Sequence, residues 1–137
     1  MSTSTITTDE LIDKARSVRE HAYAPYSNYK VGCALVTADG SVFTGANVEN
    51  ASYGLCICAE RTAIASAASQ GHREIAAIVV ATQSSPPAAP CGACRQSINE
   101  FCSDPSKLDV VLVNADGERR DIGFAELFPH GFRGSDL

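Results

Sequence analysis

The fold is decided by residues 75–81, which read Ile-Ala-Ala-Ile-Val-Val-Ala. A nearly continuous apolar run of this length is typical of a strand buried in the middle of a sheet. Residues 108–113 predict a second buried strand for the same reason. Helices on both faces of one mixed sheet would bury such strands best. We therefore predict an α/β fold, a three-layer α/β/α sandwich around one mixed sheet of about five strands.

Hairpins and helices surround these two runs along the chain. Residues 31–35 alternate as a strand does, and Asp39-Gly40 and Asp116-Gly117 each predict a hairpin. Thr7 with Glu10 matches a capping box at the start of a helix. We expect helices over 8–22, 58–70, 91–101 and 124–128, a returning strand over 41–46, and loops over 23–28, 47–57 and 83–90. No repeat or linker divides the chain, so we expect a single domain over residues 1–137.

The composition excludes several classes of function. The net charge is −5 and no basic run offsets it, so a nucleic-acid partner is disfavoured. Residues 1–8 lack the features of a signal peptide, and no apolar run approaches the length of a membrane span. We expect a cytoplasmic protein without membrane contact. In that compartment the six cysteines favour metal binding or redox chemistry over a disulfide framework.

Three cysteines and a glutamate carry the chemistry. Cys91 and Cys94 are three residues apart at a predicted helix start, so both sulfurs face the same way. Cys58 begins another helix, and Glu60 follows it by two residues. Side chains in a first helical turn lean toward the N-terminus, where the helix dipole favours thiolates. Three thiolates and one open position would make a catalytic zinc site.

Two other interpretations of the cysteines belong to different functional classes. A Cys-x-x-Cys pair taken alone also fits a thiol redox centre, or part of a structural zinc site in a binding module. A redox centre would leave Glu60 without a purpose, and a structural zinc would require a fourth protein ligand. Cys33, Cys56 and Cys102 lack ligand spacing, and we expect them to pack as small apolar residues.

Several stretches carry a resemblance to a known family. They are Tyr26–Gly32, Asn47–Gly54, Cys58–Ala63, Pro90–Gln96 and Leu127–Pro129. The spacing of Cys58, Glu60 and the pair after Pro90 is similar to the signature of zinc deaminases. Together these motifs resemble cytidine deaminase, and the three-cysteine ligand set resembles the short, homotetrameric branch of that family.

The resemblance implies a metal centre and a proton shuttle. Cys58, Cys91 and Cys94 would hold one zinc ion per chain, with water in the fourth position. The matching arginine of the family, here Arg61, hydrogen-bonds the ligand sulfurs and offsets their charge. Glu60 would take a proton from the water and deliver protons to the base and to the departing amine.

The resemblance also implies contacts with a nucleoside. Asn47 and Glu49 match the pair that binds the ribose 3′-hydroxyl. Backbone groups around Ala59 and Ala89 would read the pyrimidine O2 and the leaving amine. Tyr29 matches an aromatic residue that packs on the base.

An oligomer and a reaction follow from the same resemblance. Tyr53 and Phe132 match positions that reach a neighbouring subunit's pocket, so we expect a homotetramer with shared sites. The implied reaction is hydrolysis of cytidine or 2′-deoxycytidine to uridine or 2′-deoxyuridine plus ammonia, as in pyrimidine salvage. An alternative within the same fold is deamination of an aminonucleoside antibiotic such as blasticidin S, against which Glu49 argues because it suits a ribose hydroxyl.

Overall fold

The run at residues 75–81 is the middle strand of a mixed sheet. The computed structural model describes residues 6–137, and over this range it has one sheet of five strands. The strands are β1 Gly32–Thr37, β2 Val42–Ala46, β3 Ile75–Ala81, β4 Asp109–Val113 and β5 Arg119–Gly123. Their order in the sheet is β2-β1-β3-β4-β5. β3 pairs antiparallel with β1 and parallel with β4, while β2 and β5 pair antiparallel at the edges.

Helices cover both faces of this sheet. They are α1 Thr8–Arg19, α2 Ala59–Ser69, α3 Gly92–Glu100 and the short α4 Phe124–Leu127. On β3, Ile78 and Val80 face the core cluster formed with α2, α3 and α4, whereas Val79 and Ala81 face the cluster formed with α1. Because alternate side chains of a strand point to opposite faces, the apolar run serves two cores. The predicted three-layer sandwich with five strands is confirmed.

The first helix ends earlier than the sequence predicts. The capping box of Thr7 and Glu10 is present, but α1 stops at Arg19 and not at residue 22. The amides of His21 and Ala22 bond to carbonyls three residues back, which tightens the last turn. Tyr23 then pairs through its backbone with residues 47–49. This pairing holds Tyr23 in an extended conformation and stops the helix.

The predicted loop over 47–57 contains local structure. Val48 and Ile57 exchange backbone hydrogen bonds of 3.0 and 2.9 Å, so the segment closes on itself. A single 3-10 turn, Tyr53–Leu55, lies within it. Similar 3-10 turns occur at Pro105–Lys107 and Gly134–Asp136.

Over residues 6–137, no helix has both the length and the apolar character needed to cross a bilayer.

Helix α2 packs unusually close to strand β2 at Gly45. A Cβ atom at this position would lie 2.5 Å from the backbone nitrogen of Ala63 and 2.8 Å from the carbonyl oxygen of Ala59. Backbone atoms of a helix cannot move aside as the end of a flexible side chain can. The absent side chain therefore sets the distance between α2 and the sheet.

We expect Gly45→Ala to lower the free energy of unfolding by about 1–3 kcal/mol, because overpacking forces backbone shifts of this cost. Chemical denaturation would measure the change. Gly123→Ala is the matched control, since Gly123 lies in the edge strand β5 and a Cβ there would meet nothing within 4 Å. Equal stability of the two variants would contradict a close packing constraint at Gly45.

Candidate metal centre and active site

Two helix N-termini bring three sulfur atoms together. Cys58 is the N-cap residue of α2 and Cys91 is the N-cap residue of α3. Both have extended backbone, with ψ of 153° and 170°, so each side chain lies at the start of its helix. Cys94 lies in the first turn of α3 and is fully buried. Both helices pack on the same face of the sheet, which is why their N-termini can meet.

The sulfur atoms fit one tetrahedral zinc ion. All three lie within 4.8 Å of one another, and Cys58 Sγ is 3.9 Å from Cys91 Sγ. Two sulfurs bound at 2.3 Å to one tetrahedral zinc would be about 3.8 Å apart. The positive ends of the two helix dipoles also favour the thiolate forms that zinc requires. The cluster is therefore suited to one zinc per chain.

Arg61 supplies positive charge beside this cluster. Its Nη2 donates to the carbonyl oxygen of Cys56 at 3.2 Å. Its Nε is buried and has no hydrogen-bond partner within residues 6–137. Burial lowers the pKa of Arg61, but the neighbouring sulfurs of Cys58 and Cys94 outweigh burial and raise it overall. The formal charges of three thiolates, one divalent zinc and one guanidinium sum to zero.

The pKa values of two of these cysteines shift in opposite directions. A hydrogen bond with Cys94 is the main cause that lowers the pKa of Cys58 to about 5, and Arg61 adds to the shift against partial burial. The same hydrogen bond is the main cause that raises the pKa of Cys94.

Glu60 lies in the first turn of α2 with only 5% of its surface exposed. Burial raises the pKa of its carboxyl group, its own backbone amide opposes that shift, and the negative charge of Cys58 adds to it. A carboxyl group held in this way beside a metal site is suited to carrying a proton.

A cavity of about 330 Å³ joins these residues to two loops. Its volume is at the lower end of the range for small-molecule sites. Most of the residues that the sequence singled out line this cavity: Tyr29, Asn47, Glu49, Cys58, Ala59, Glu60, Ala89 and Cys91. Cys94 and Arg61 are beside it and do not line it.

Asn47 and Glu49 also build the loop on one side of the cavity. Asn47 Nδ2 donates to the carbonyl oxygen of Tyr29 at 2.8 Å, and its Oδ1 accepts from the amide of Val31 at 2.9 Å. Glu49 Oε1 accepts from the amides of Tyr26 and Ser27, and its Oε2 accepts from the Ser27 hydroxyl. The hydrogen bond from Ser27 is the main cause that lowers the pKa of Glu49, which keeps this group ionised.

Within a single chain, Tyr53 and Phe132 do not line the cavity. Their exposed fractions are 74% and 55%. Tyr53 packs edge-on against Tyr26 with ring centroids 6.0 Å apart. The carbonyl oxygen of Phe132 accepts from Gln96 and Asn99, which fixes the backbone and leaves the ring in solvent.

Sequence reasoning assigned no role to Ser27, Thr82 and Ala88, which also line the cavity. Thr82 follows the last residue of β3, and its hydroxyl accepts from the amide of Ala88 at 3.3 Å. One signal was available for Thr82, since ligands bind beyond the carboxyl ends of strands in α/β sheets.

The remaining cysteines follow the packing expectation in two cases of three. Cys33 and Cys102 are buried in the core cluster on the α2 face. Cys56 is only half-buried in the loop before α2, where its sulfur accepts from the amide of Asn50 at 3.3 Å. Its position follows from the loop closing on itself, which the spacing of cysteines does not encode.

Comparison with known proteins agrees with this geometry. Residues 6–108 match the family model described as the cytidine and deoxycytidylate deaminase zinc-binding region. A cytidine deaminase of Halalkalibacterium halodurans is 49% identical over 93% of this chain and 95% of its own length. A cytidine deaminase of Sporosarcina psychrophila is 42% identical over 94% of this chain and 93% of its own.

Solved structures give the same result. The crystal structure of a cytidine deaminase from Burkholderia pseudomallei superimposes with a TM-score of 0.87 at 54% sequence identity, covering 93% of this chain and all of that one. A cytidine deaminase from Mycobacterium tuberculosis superimposes with a TM-score of 0.79 at 33% identity, covering 93% and 98% of the two chains. The match extends over sequence and fold together, and this chain therefore belongs to the cytidine and deoxycytidylate deaminase family of zinc-binding proteins.

Proposed function

We propose that this chain hydrolyses cytidine and 2′-deoxycytidine to uridine and 2′-deoxyuridine with release of ammonia. The observation that carries the proposal is the buried carboxyl group of Glu60, which lines one cavity with Cys58 and Cys91. The relatives named cytidine deaminase over nearly the whole chain support this choice of substrate.

The chemistry divides between the metal and Glu60. Bound zinc would act as a Lewis acid that makes water a nucleophile at neutral pH. Glu60 would accept one proton from the water and deliver it to N3 of the pyrimidine. It would then take the second proton from the same oxygen, now bonded to C4, and deliver it to the amine as the bond between C4 and nitrogen breaks. The burial of Glu60 keeps these transfers away from bulk water. Overall, the oxygen of water replaces the amino group at C4 as a carbonyl oxygen, and ammonia is released.

The walls of the cavity supply the proposed nucleoside contacts. Asn47 Nδ2 carries a second hydrogen. The Glu49 carboxylate already accepts three hydrogen bonds and has about one acceptor position left. Both groups can therefore bind the ribose 3′-hydroxyl without breaking the bonds that order the neighbouring loop. The Tyr29 ring would pack on the base, while backbone groups at Ala59 and Ala89 would read its O2 and amine.

Glu60→Gln tests the proton shuttle. We expect the variant to stay folded and to keep its zinc, because the amide has the size of the carboxyl group. We expect the turnover of cytidine, measured as the loss of cytosine absorbance, to fall by about 10²- to 10⁴-fold, because the amide cannot carry the proton. Wild-type activity in this variant would refute the role of Glu60, and absence of turnover in zinc-loaded wild type would refute the substrate.

Replacing single cysteines tests the ligand set. Metal analysis of the purified wild type should give about one zinc per chain. We expect Cys91→Ala to lose most of this zinc, because two sulfurs remain. Cys56→Ala is the matched control, since Cys56 lies outside the cluster of three sulfurs, and it should keep the full content. Equal zinc in both variants would contradict the assignment of Cys91.

Exposed aromatic rings support a shared site in an oligomer. The exposed fractions of Tyr26, Tyr53 and Phe132 are 50%, 74% and 55%. The two tyrosines lie near the loops that flank the cavity, and Phe132 lies on the C-terminal segment. Large rings exposed to this extent are typical of surfaces that become covered on association. We propose a homotetramer in which Tyr53 and Phe132 reach a neighbouring subunit's cavity.

Phe132→Ala tests this shared site. Light scattering of the wild type should give four times the chain mass of 14.4 kDa. The variant should keep its zinc but lose roughly two- to tenfold in kcat/KM, the worth of one aromatic contact. Leu137→Ala, at a residue that is 94% exposed, should behave as wild type. A wild-type mass of one chain would overturn the proposal.

A further inference from the structure

A buried asparagine outside the cavity carries a hydrogen-bond network toward it. Asn114 follows β4 and is 1% exposed. Its Nδ2 donates to the carbonyl oxygen of Ser84 and to Glu118 Oε1, both at 2.9 Å. Its Oδ1 accepts from the amides of Asp116 and Glu118 at 3.1 and 3.0 Å. The side chain is thus fully hydrogen-bonded, and three of its four bonds lie within its own hairpin.

The fourth bond holds the loop over residues 83–90. Ser84 accepts from Asn114 through its carbonyl oxygen, and the Ser85 hydroxyl donates to Glu118. The same loop contributes Ala88 and Ala89 to the cavity. The carboxylate of Glu118 and the amide of Asn114 therefore attach this wall of the cavity to the far edge of the sheet.

Ser84 passes the connection to the opposite wall. Its hydroxyl shares a hydrogen bond with the phenol oxygen of Tyr29, whose ring lines the cavity. A second link joins the same two loops, since Gln83 Oε1 accepts from Arg19 Nη2 at 3.1 Å and Arg19 Nε donates to the carbonyl oxygen of Lys30 at 2.8 Å. Two separate links therefore join the segment around Tyr29 and Lys30 to the loop over residues 83–90.

We propose that the Tyr29–Ser84 hydrogen bond is a clasp that fixes the distance between the two cavity walls, and that Asn114 is a positioning residue that acts through Ser84. This inference rests on the proposed function, in which a nucleoside occupies the cavity. Neither hydroxyl belongs to the proposed metal ligands or to the proposed proton shuttle, so the clasp sets substrate affinity and leaves the chemical step alone. The Tyr29 hydroxyl therefore has a role separate from that of its ring.

The clasp can be tested by a double-mutant cycle on the zinc-loaded protein. Tyr29→Phe keeps the ring and removes the hydroxyl, and Ser84→Ala removes the partner. Each should raise KM for cytidine about three- to tenfold with kcat within twofold, the effect of losing one hydrogen bond. The double variant should be no worse than either single one, because both remove the same interaction. Ser69→Ala, whose hydroxyl bonds within the end of α2, should match wild type.

Asn114→Asp tests the positioning residue. The substitution keeps the two acceptor bonds of the hairpin but replaces the donor to Ser84 and Glu118 by a carboxylate oxygen. Adding Glu118→Gln returns a donor to the hairpin and leaves the Ser84 carbonyl oxygen unpaired. We expect the added change to restore thermal stability while KM stays raised. Recovery of KM together with stability would overturn the action through Ser84.

Hydrogen exchange separates this inference from the proposed function. Amides over residues 83–90 should exchange faster in Ser84→Ala and Asn114→Asp than in wild type, whatever the substrate of the protein. Faster exchange without cytidine turnover by wild type would refute the substrate and support the clasp. Unchanged KM and unchanged exchange in an active protein would refute the clasp, as would a loss of kcat equal to that of kcat/KM.

Discussion

The concentration of negative charge at three neighbouring sulfurs is the constraint on which the site depends. Thiolates within 4.8 Å of one another repel strongly unless positive charge surrounds them. Two helix N-termini, the Arg61 guanidinium and a divalent zinc provide that charge. Both helices must then begin at one point on one face of the sheet. The parallel pairing of β3 and β4 supports this requirement, since the α3 connection between them begins at the carboxyl end of β3.

The walls of the cavity show a different use of polar side chains. Asn47 and Glu49 bind the backbone of residues 26–31 before any ligand arrives. A loop ordered in advance loses little entropy when a substrate binds. The groups proposed to recognise ribose therefore also prepare the surface that receives the base.

The sequence predicts elements whose causes are local. The strand at residues 75–81 is recognised by its apolar run, and the starts of α2 and α3 by their cysteine motifs. The features that the sequence does not predict depend on contacts between segments that are distant in the chain. Tyr23 ends α1 early because it pairs with residues 47–49, and Asn114 holds Ser84 across thirty residues of chain. Neither contact leaves a periodic pattern. One domain over residues 1–137 and a cytoplasmic location stay predictions.

The positions of Cys58 and Cys91 have a consequence for folding. These cysteines are 33 residues apart in the chain and belong to two different helices. An ion held between them closes the long segment that contains α2, β3 and the loop after it, much as a covalent cross-link would. Because the unfolded chain has no such preformed site, the free energy of metal binding adds to that of folding. The zinc ion therefore also cross-links the fold, and a chelator that removes it lowers the stability of the protein as well as its catalytic activity.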